Sequence, residues 1–211
     1  MPRRASRLVQ PEDLLRLVTV ADPRFSADGH SVVFVRKGYD AKGARTSELW
    51  LASTRGAQRQ RPLTTGPRDS TPRSSPVDDS LLFVRSATKE APQLALLKLP
   101  PVRGKARPQV RTLTRLPEGS LASVAWSPDG RHVAFKWRQT MTEFTAAAAK
   151  RRKALGHSTP ALVVDDPWYR LDGDGVFGTA RFRLFVLDLG RKGAAPREVF
   201  RCDHLDDFSF D

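Results

Sequence analysis

The stretch WSPDGRHVAFKW, from Trp126 to Trp137, decides the fold. Ser127-Pro-Asp-Gly130 is a turn sequence. Proline presets φ, aspartate accepts hydrogen bonds from amides ahead of it, and glycine takes the positive φ that other residues avoid. The segment after the turn alternates: Val133, Phe135 and Trp137 share one face, Ala134 and Lys136 the other. That is the period of a strand, so the stretch is a hairpin of strand end, turn and second strand.

The hairpin recurs. FSADGHSVVFVR, Phe25 to Arg36, is a near copy. A degenerate copy, Pro72-Arg-Ser-Ser-Pro-Val-Asp-Asp79, leads into SLLFVRSA, and a fourth begins as Asp207-Phe-Ser-Phe-Asp211. The equivalent residues Phe25, Ser74, Trp126 and Phe210 lie 49, 52 and 84 residues apart. Each hairpin is followed by two further strand-like segments. These are SELWLAST (47–54) and RQRPLTT (59–65), then QLALLKLP (93–100) and QVRTLTRL (109–116), then RFRLFVLDL (181–189) and PREVFRC (196–202). A period near 50 built of four strands predicts a β-propeller, one repeat per blade. The alternative, unrelated hairpins in a sandwich, gives no reason for the turn to return.

The expected fold is therefore all-β, a partial β-propeller of four-stranded antiparallel blades. An N-terminal arm and short helix span 1–21. Blade 1 covers 22–70, blade 2 covers 71–122, and blade 3 covers 123–206 with an insertion at about 140–178; 207–211 starts blade 4. Propellers close with about four to eight blades, and repeat arrays need finishing units at their ends. The missing blades are expected in a longer polypeptide or in another chain.

The insertion accounts for the 84-residue spacing. Residues 141–155, MTEFTAAAAKRRKAL, predict a helix, with Thr142 as cap, Gly156 as stop and cations in the last turn. A solvated surface helix is one reading of it.

The chain has 211 residues, 39% of them hydrophobic, enough for a packed core. No apolar run approaches the roughly 18 residues that cross a membrane, and the basic N-terminus MPRRASRLVQPEDLL has no apolar h-region, so neither membrane nor secretion is expected. The single cysteine, Cys202, suits a reducing cytoplasm. The formal charge of +13 raises nucleic-acid binding. Against it, arginine outnumbers lysine 27 to 9 while isoleucine and asparagine are absent, a bias of GC-rich coding that scatters arginine everywhere. Only Lys150-Arg151-Arg152-Lys153 is a dense run, and no nucleic-acid partner is expected.

No G-x-S-x-G nucleophile elbow occurs in the 211 residues, nor CxxC, HExxH or a Gly-rich phosphate loop. The histidines His30, His132, His157 and His204 are dispersed; His30 and His132 are expected at one blade position, beside the turn glycine. Asp172-Gly-Asp174-Gly175 is like a calcium loop, but Val176 and Arg183 stand where further oxygen ligands belong. A tight turn is expected there, with no metal and no cofactor.

PEDLLRLVTVADPRFSADG at 11–29, followed by blades opened by SPDG-type turns, resembles the N-terminus of prolyl-oligopeptidase-family serine peptidases, the acylaminoacyl-peptidase branch above all. VVDDPWYRLDGDGVFGTARFRLFVLDL at 163–189 is similar to that branch as well. The resemblance covers about 11–211. It implies a propeller of about seven or eight blades over an α/β-hydrolase domain, with a Ser-Asp-His triad outside this chain. It further implies that the propeller admits only short peptides to a cytoplasmic exopeptidase. The N-terminal helix would pack on the hydrolase domain through Leu14, Leu15, Leu17 and Val18. No catalytic residue is assigned in this chain. Arg151 and Arg152 are assigned a substrate-binding role, their guanidinium forks meeting a peptide carboxylate at the cavity. The alternative is a non-enzymatic, TolB-like protein-binding propeller. Exposed blade edges leave room for a homo-oligomer without specifying its symmetry.

Overall fold

A computed structural model describes residues 8–56, 60–66, 68–87, 90–103, 107–172, 175–203 and 208–210. Three four-stranded antiparallel sheets follow one another along the chain. The first contains β1 (Thr19–Phe25), β2 (Ser31–Tyr39), β3 (Arg45–Ser53) and β4 (Gln60–Pro62), in that order. The second contains β5 (Asp69–Ser74), β6 (Ser80–Arg85), β7 (Gln93–Lys98) and β8 (Arg111–Thr112). In the third, β9 (Gly119–Trp126) and β10 (His132–Gln139) are separated in sequence from β13 (Arg183–Asp188) and β14 (Arg197–Arg201) by the insertion. Within it, β11 (Arg170–Leu171) and β12 (Gly175–Val176) form a small ribbon. Four-stranded antiparallel sheets are the expected fold, and their inner strands begin at Thr19, Asp69 and Gly119, ahead of the expected blade starts at 22, 71 and 123. Their outer strands are shorter than the sequence suggests, β8 keeping two residues of the segment 109–116.

The repeat is a repeat of register. Phe25, Ser74 and Trp126 each end their innermost strand, paired with Val32, Leu81 and Val133. Three residues earlier stand Asp22, Thr71 and Ser123, all with positive φ (47°, 54° and 49°), where the pairing slips. Each blade thus carries a bulge at the same place, which bends the inner strand.

The turns repeat atom for atom. Ser26 Oγ accepts from Ser31 N and donates to Asp28, whose carboxylate also takes His30 N. Ser127, His132, Asp129 and Arg131 do the same in blade 3. His30 therefore corresponds to Arg131, not to His132. The two histidines stand one position apart, because the register counts from the turn serine. In blade 2, Ser75 and Asp78 rebuild the turn without its glycine. These hydrogen bonds hold the aspartates below their ordinary value of 3.8. At Asp28 and Asp129 the serine hydroxyl matters most, then a backbone amide. At Asp78 burial opposes the shift, and bonds from Ser75 and Ser80 outweigh it.

The core lies between blades. Val33, Val35, Leu49 and Leu51 of the first sheet meet Leu81, Phe83, Ala95 and Leu97 of the second. The second sheet's other face, Leu82, Val84 and Leu94, meets Val124, Val133, Phe135 and Trp137 of the third. The middle blade is covered on both sides, which is why β6 is apolar without alternation. Polar links run along the inner strands. Arg73 donates to Asp22 of the first blade and to the Val124 carbonyl of the third, and Trp126 Nε1 donates to the Arg73 carbonyl at 2.9 Å.

The N-terminal helix is a 3-10 turn, Pro11–Arg16, and Leu14, Leu15, Leu17 and Val18 are exposed. Of the expected fourth blade, Phe208–Phe210 are described and form no strand. The Phe208 carbonyl accepts from Lys136 Nζ, and its ring meets Phe200 edge-on. Residues 207 and 211 lie outside the described residues, as do His204 and the Gly173-Asp174 pair of the expected tight turn. Among the described residues no helix is long and apolar enough to cross a membrane.

Candidate functional site

Antiparallel order assigns every loop to an end. The Ser-Pro-Asp-Gly turns lie at one end. The β2–β3 and β6–β7 loops, the connections between blades and the insertion between β10 and β13 lie at the other. The Pro11–Arg16 turn leads into β1 at that second end too. The chain's longest irregular segment and its exposed N-terminal leucines thus share one rim.

The insertion starts with a 3-10 turn, Thr142–Phe144, followed by α1, Ala146–Ala154. The helix cap is Thr145, whose hydroxyl accepts from Ala148 N, rather than Thr142. The carboxylate of Glu118, in the connection between blades 2 and 3, takes Ala146 N at 2.8 Å and anchors this helix end to the blades. At the other end Gly156 (φ 70°) follows the helix. His157 N bonds the Arg152 carbonyl and Gly156 N that of Lys153, the pairing expected of a glycine stop. No residue of α1 is buried. Arg151 is exposed, while Arg152 is half-buried and donates to the Glu143 carbonyl. The two arginines assigned to substrate are thus differently placed. One extends into solvent, and the other is tied to its own insertion.

The return leg is fastened by Arg181, 8% exposed, which pairs with Asp166 at 2.7 Å and donates to the Gly178 carbonyl. It brings Phe177 and Phe182 onto the far face of blade 3. There the guanidinium of Arg138, only 3% exposed, lies 4.0 Å from the Phe177 ring centre and 4.5 Å from that of Phe182. Lys136 Nζ lies 5.5 Å from Phe182 and 5.0 Å from Phe208. Such contacts stabilise a cation that burial would otherwise disfavour.

Between this aromatic clasp and the start of the insertion opens a cleft of about 220 Å³. Met141, Phe144, Leu162, Val176 and Phe177 supply its apolar walls, and Arg138 borders it. Gly178 also lines it, with φ 60°. A Cβ there would stand 3.0 Å from both Leu162 and the Met141 methyl. Sequence reasoning missed this site. Its one legible trace is Lys136, which occupies the place that Val35 and Val84 hold in the other blades.

No protein-family model matches the chain. Over 202 residues, 95% of its length, it is 27% identical to the uncharacterized peptidase YuxL of Bacillus subtilis, and it spans 29% of that protein. Among solved structures it is similar to the Pyrococcus horikoshii acylaminoacyl peptidase, with a TM-score of 0.61 at 14% identity, covering 90% of this chain and 27% of that one. It is also similar to the β-propeller domain of the Trilobed protease from Pyrococcus furiosus, with a TM-score of 0.53 at 14% identity, covering 89% and 45%. The fold is that of a peptidase propeller part, as the resemblance in the sequence implied.

Proposed function

We propose that these 211 residues are the substrate-screening propeller part of a cytoplasmic serine exopeptidase resembling acylaminoacyl peptidases. An α/β-hydrolase domain outside them transfers the acyl group of a short peptide to a serine and then to water. The observation that supports this best is the match of nearly the whole chain to less than a third of a longer peptidase. The rim that carries the insertion and Leu14, Leu15, Leu17 and Val18 is the face turned to that domain. It presents apolar side chains, each about half exposed or more, that a partner domain would cover.

The test is to express the uninterrupted reading frame and treat the protein with a fluorophosphonate, which labels an activated serine. The expected result is one labelled serine, in a G-x-S-x-G sequence beyond residue 211, with hydrolysis of short peptides and none of a folded protein. An unlabelled protein with no such sequence would overturn the reading.

A further inference from the structure

We propose that a basic groove between blades 1 and 2 binds the acidic side chains of a peptide, an inference that rests on reading the chain as part of a peptidase and names a class of substrate. Register builds the groove. Thr19 of β1, Lys37 of β2 and Ser47 of β3 are cross-strand partners, so their side chains share one face of the first sheet. Arg45, two residues before Ser47, joins that face. It is the face whose Val33 and Val35 pack on blade 2. Beyond those valines, toward the rim, the groove opens, and Arg68, bridged to Ser47, and Ser70 close its far side. It holds about 610 Å³, inside the range of about 300–1,000 Å³ of small-ligand sites.

Charge picks the occupant. Lys37, Arg45 and Arg68 are exposed and line the groove together, and its lining contains no acidic residue among the described residues. The acids nearest in sequence are engaged elsewhere. Asp69 is clamped by Arg85, Glu48 accepts from Trp50 Nε1, and Asp40 takes two amides of its own turn. The hydroxyls of Thr19, Ser47 and Ser70 add further donors. Lys37 stands eleven residues after the turn serine Ser26, the place that Arg138 takes after Ser127. There aromatic rings lie over the cation, whereas in blade 1 the cation is exposed. Position favours a peptide over other anions. The groove lies on the rim proposed to face the catalytic domain and reaches from the inner strands β1 and β5 to β3. A nucleic acid would call for a longer basic track with rings exposed for stacking, and the ring here, Tyr39, is half-buried. Exposed ion pairs are individually weak, so the preference comes from three cations acting together and is sensitive to salt.

Titration calorimetry of the full-length protein, treated first with the fluorophosphonate to prevent cleavage, tests the assignment with N-acetyl-Ala-Glu-Glu-Ala-amide and N-acetyl-Ala-Gln-Gln-Ala-amide. The acidic peptide is expected to bind at least about fivefold more tightly at low salt, and the difference to shrink by about 0.5 M salt. Lys37→Gln/Arg45→Gln/Arg68→Gln should erase that preference with the melting temperature unchanged, because all three side chains are exposed. Arg55→Gln/Arg131→Gln/Lys192→Gln removes the same charge at the opposite end of the blades and should leave the preference intact. Equal binding of the two peptides, no binding of either, or equal loss in both triple variants would overturn the proposal. So would groove-dependent binding of a labelled oligodeoxynucleotide without any preference between the peptides. Peptide hydrolysis by untreated protein, followed in parallel, separates the two readings. A protein that cleaves peptides yet ignores their acidic side chains keeps the function and loses this site. One that cleaves nothing yet shows the groove-dependent preference does the reverse.

Discussion

The ion pair of Asp69 and Arg85 predicts an asymmetry that a stability measurement can read. Asp69 opens β5 and is wholly buried; its two carboxylate oxygens accept from Arg85 Nε and Nη2, each at 2.9 Å. Gly66 approaches so closely that a Cβ there would lie 2.6 Å from both oxygens. Arg85 retains 29% of its side-chain exposure, and its bonds to Asp69 raise its guanidinium above the ordinary value against the pull of burial. Arg85→Met therefore strands a carboxylate that water does not reach, a loss of about 3–5 kcal/mol. Asp69→Asn strands a guanidinium that can turn to solvent and keeps an acceptor of similar shape, a loss of about 1–3 kcal/mol. The double variant removes both charges, so its loss should fall short of the sum by about 2 kcal/mol or more. Against a total stability of roughly 5–15 kcal/mol, these are large effects. Urea unfolding at pH 7, followed by tryptophan fluorescence, gives all three values. Equal single losses, or strict additivity, would refute the reasoning that burial of the carboxylate sets the cost.

Three further outcomes rest on other contacts. Asp28, Asp78 and Asp129 have lowered values in the fold, so their stabilisation is complete above the unfolded carboxylate value and is lost as pH falls through the folded ones, below about pH 4. Urea midpoints between pH 5 and pH 3 should fall less steeply in a Ser26→Ala/Ser127→Ala variant, and parallel slopes would count against the turn hydroxyls as the cause. Trp126→Phe removes one hydrogen bond to the Arg73 carbonyl and should cost about 1 kcal/mol in the same assay, with an unchanged value ruling out the inter-blade bond as a contributor. If Arg151 and Arg152 meet the substrate carboxylate, replacing both with alanine raises the KM for free-acid peptides and not for their amides; an unaltered KM ratio assigns them to the helix alone.

How much of this was legible depends on how local the cause is. The hairpins were readable because Pro128, Asp129 and Gly130 act on neighbouring backbone, and because Val133, Phe135 and Trp137 face a blade while Ala134 and Lys136 do not share their side. The bulges were not. Asp22, Thr71 and Ser123 are short polar residues that many conformations accept, and only the paired strand reveals the slip. The helix cap moved from Thr142 to Thr145 for a tertiary reason: Glu118, 28 positions away from Ala146, reaches the amide that fixes where α1 begins. Arg138 and Phe177 are further apart still, and nothing near either announces the other.

That distance also explains why the third blade carries the site. In blades 1 and 2 the face turned to the next blade offers Val35 and Val84, and sheet packs directly on sheet. Blade 3 puts Lys136 there, beside Arg138, and two buried cations cannot lie against aliphatic side chains without compensation. The insertion supplies part of it by folding Phe177 and Phe182 over them, and Lys136 also donates to the Phe208 carbonyl. A loop added only for surface coverage would have no reason to bring aromatic rings to charged groups, nor to leave a cleft beside them. The cations and the insertion are one device: without the 140–178 segment Arg138 would lose the Phe177 ring, while Phe182 would still stand against both cations and Phe208 against Lys136.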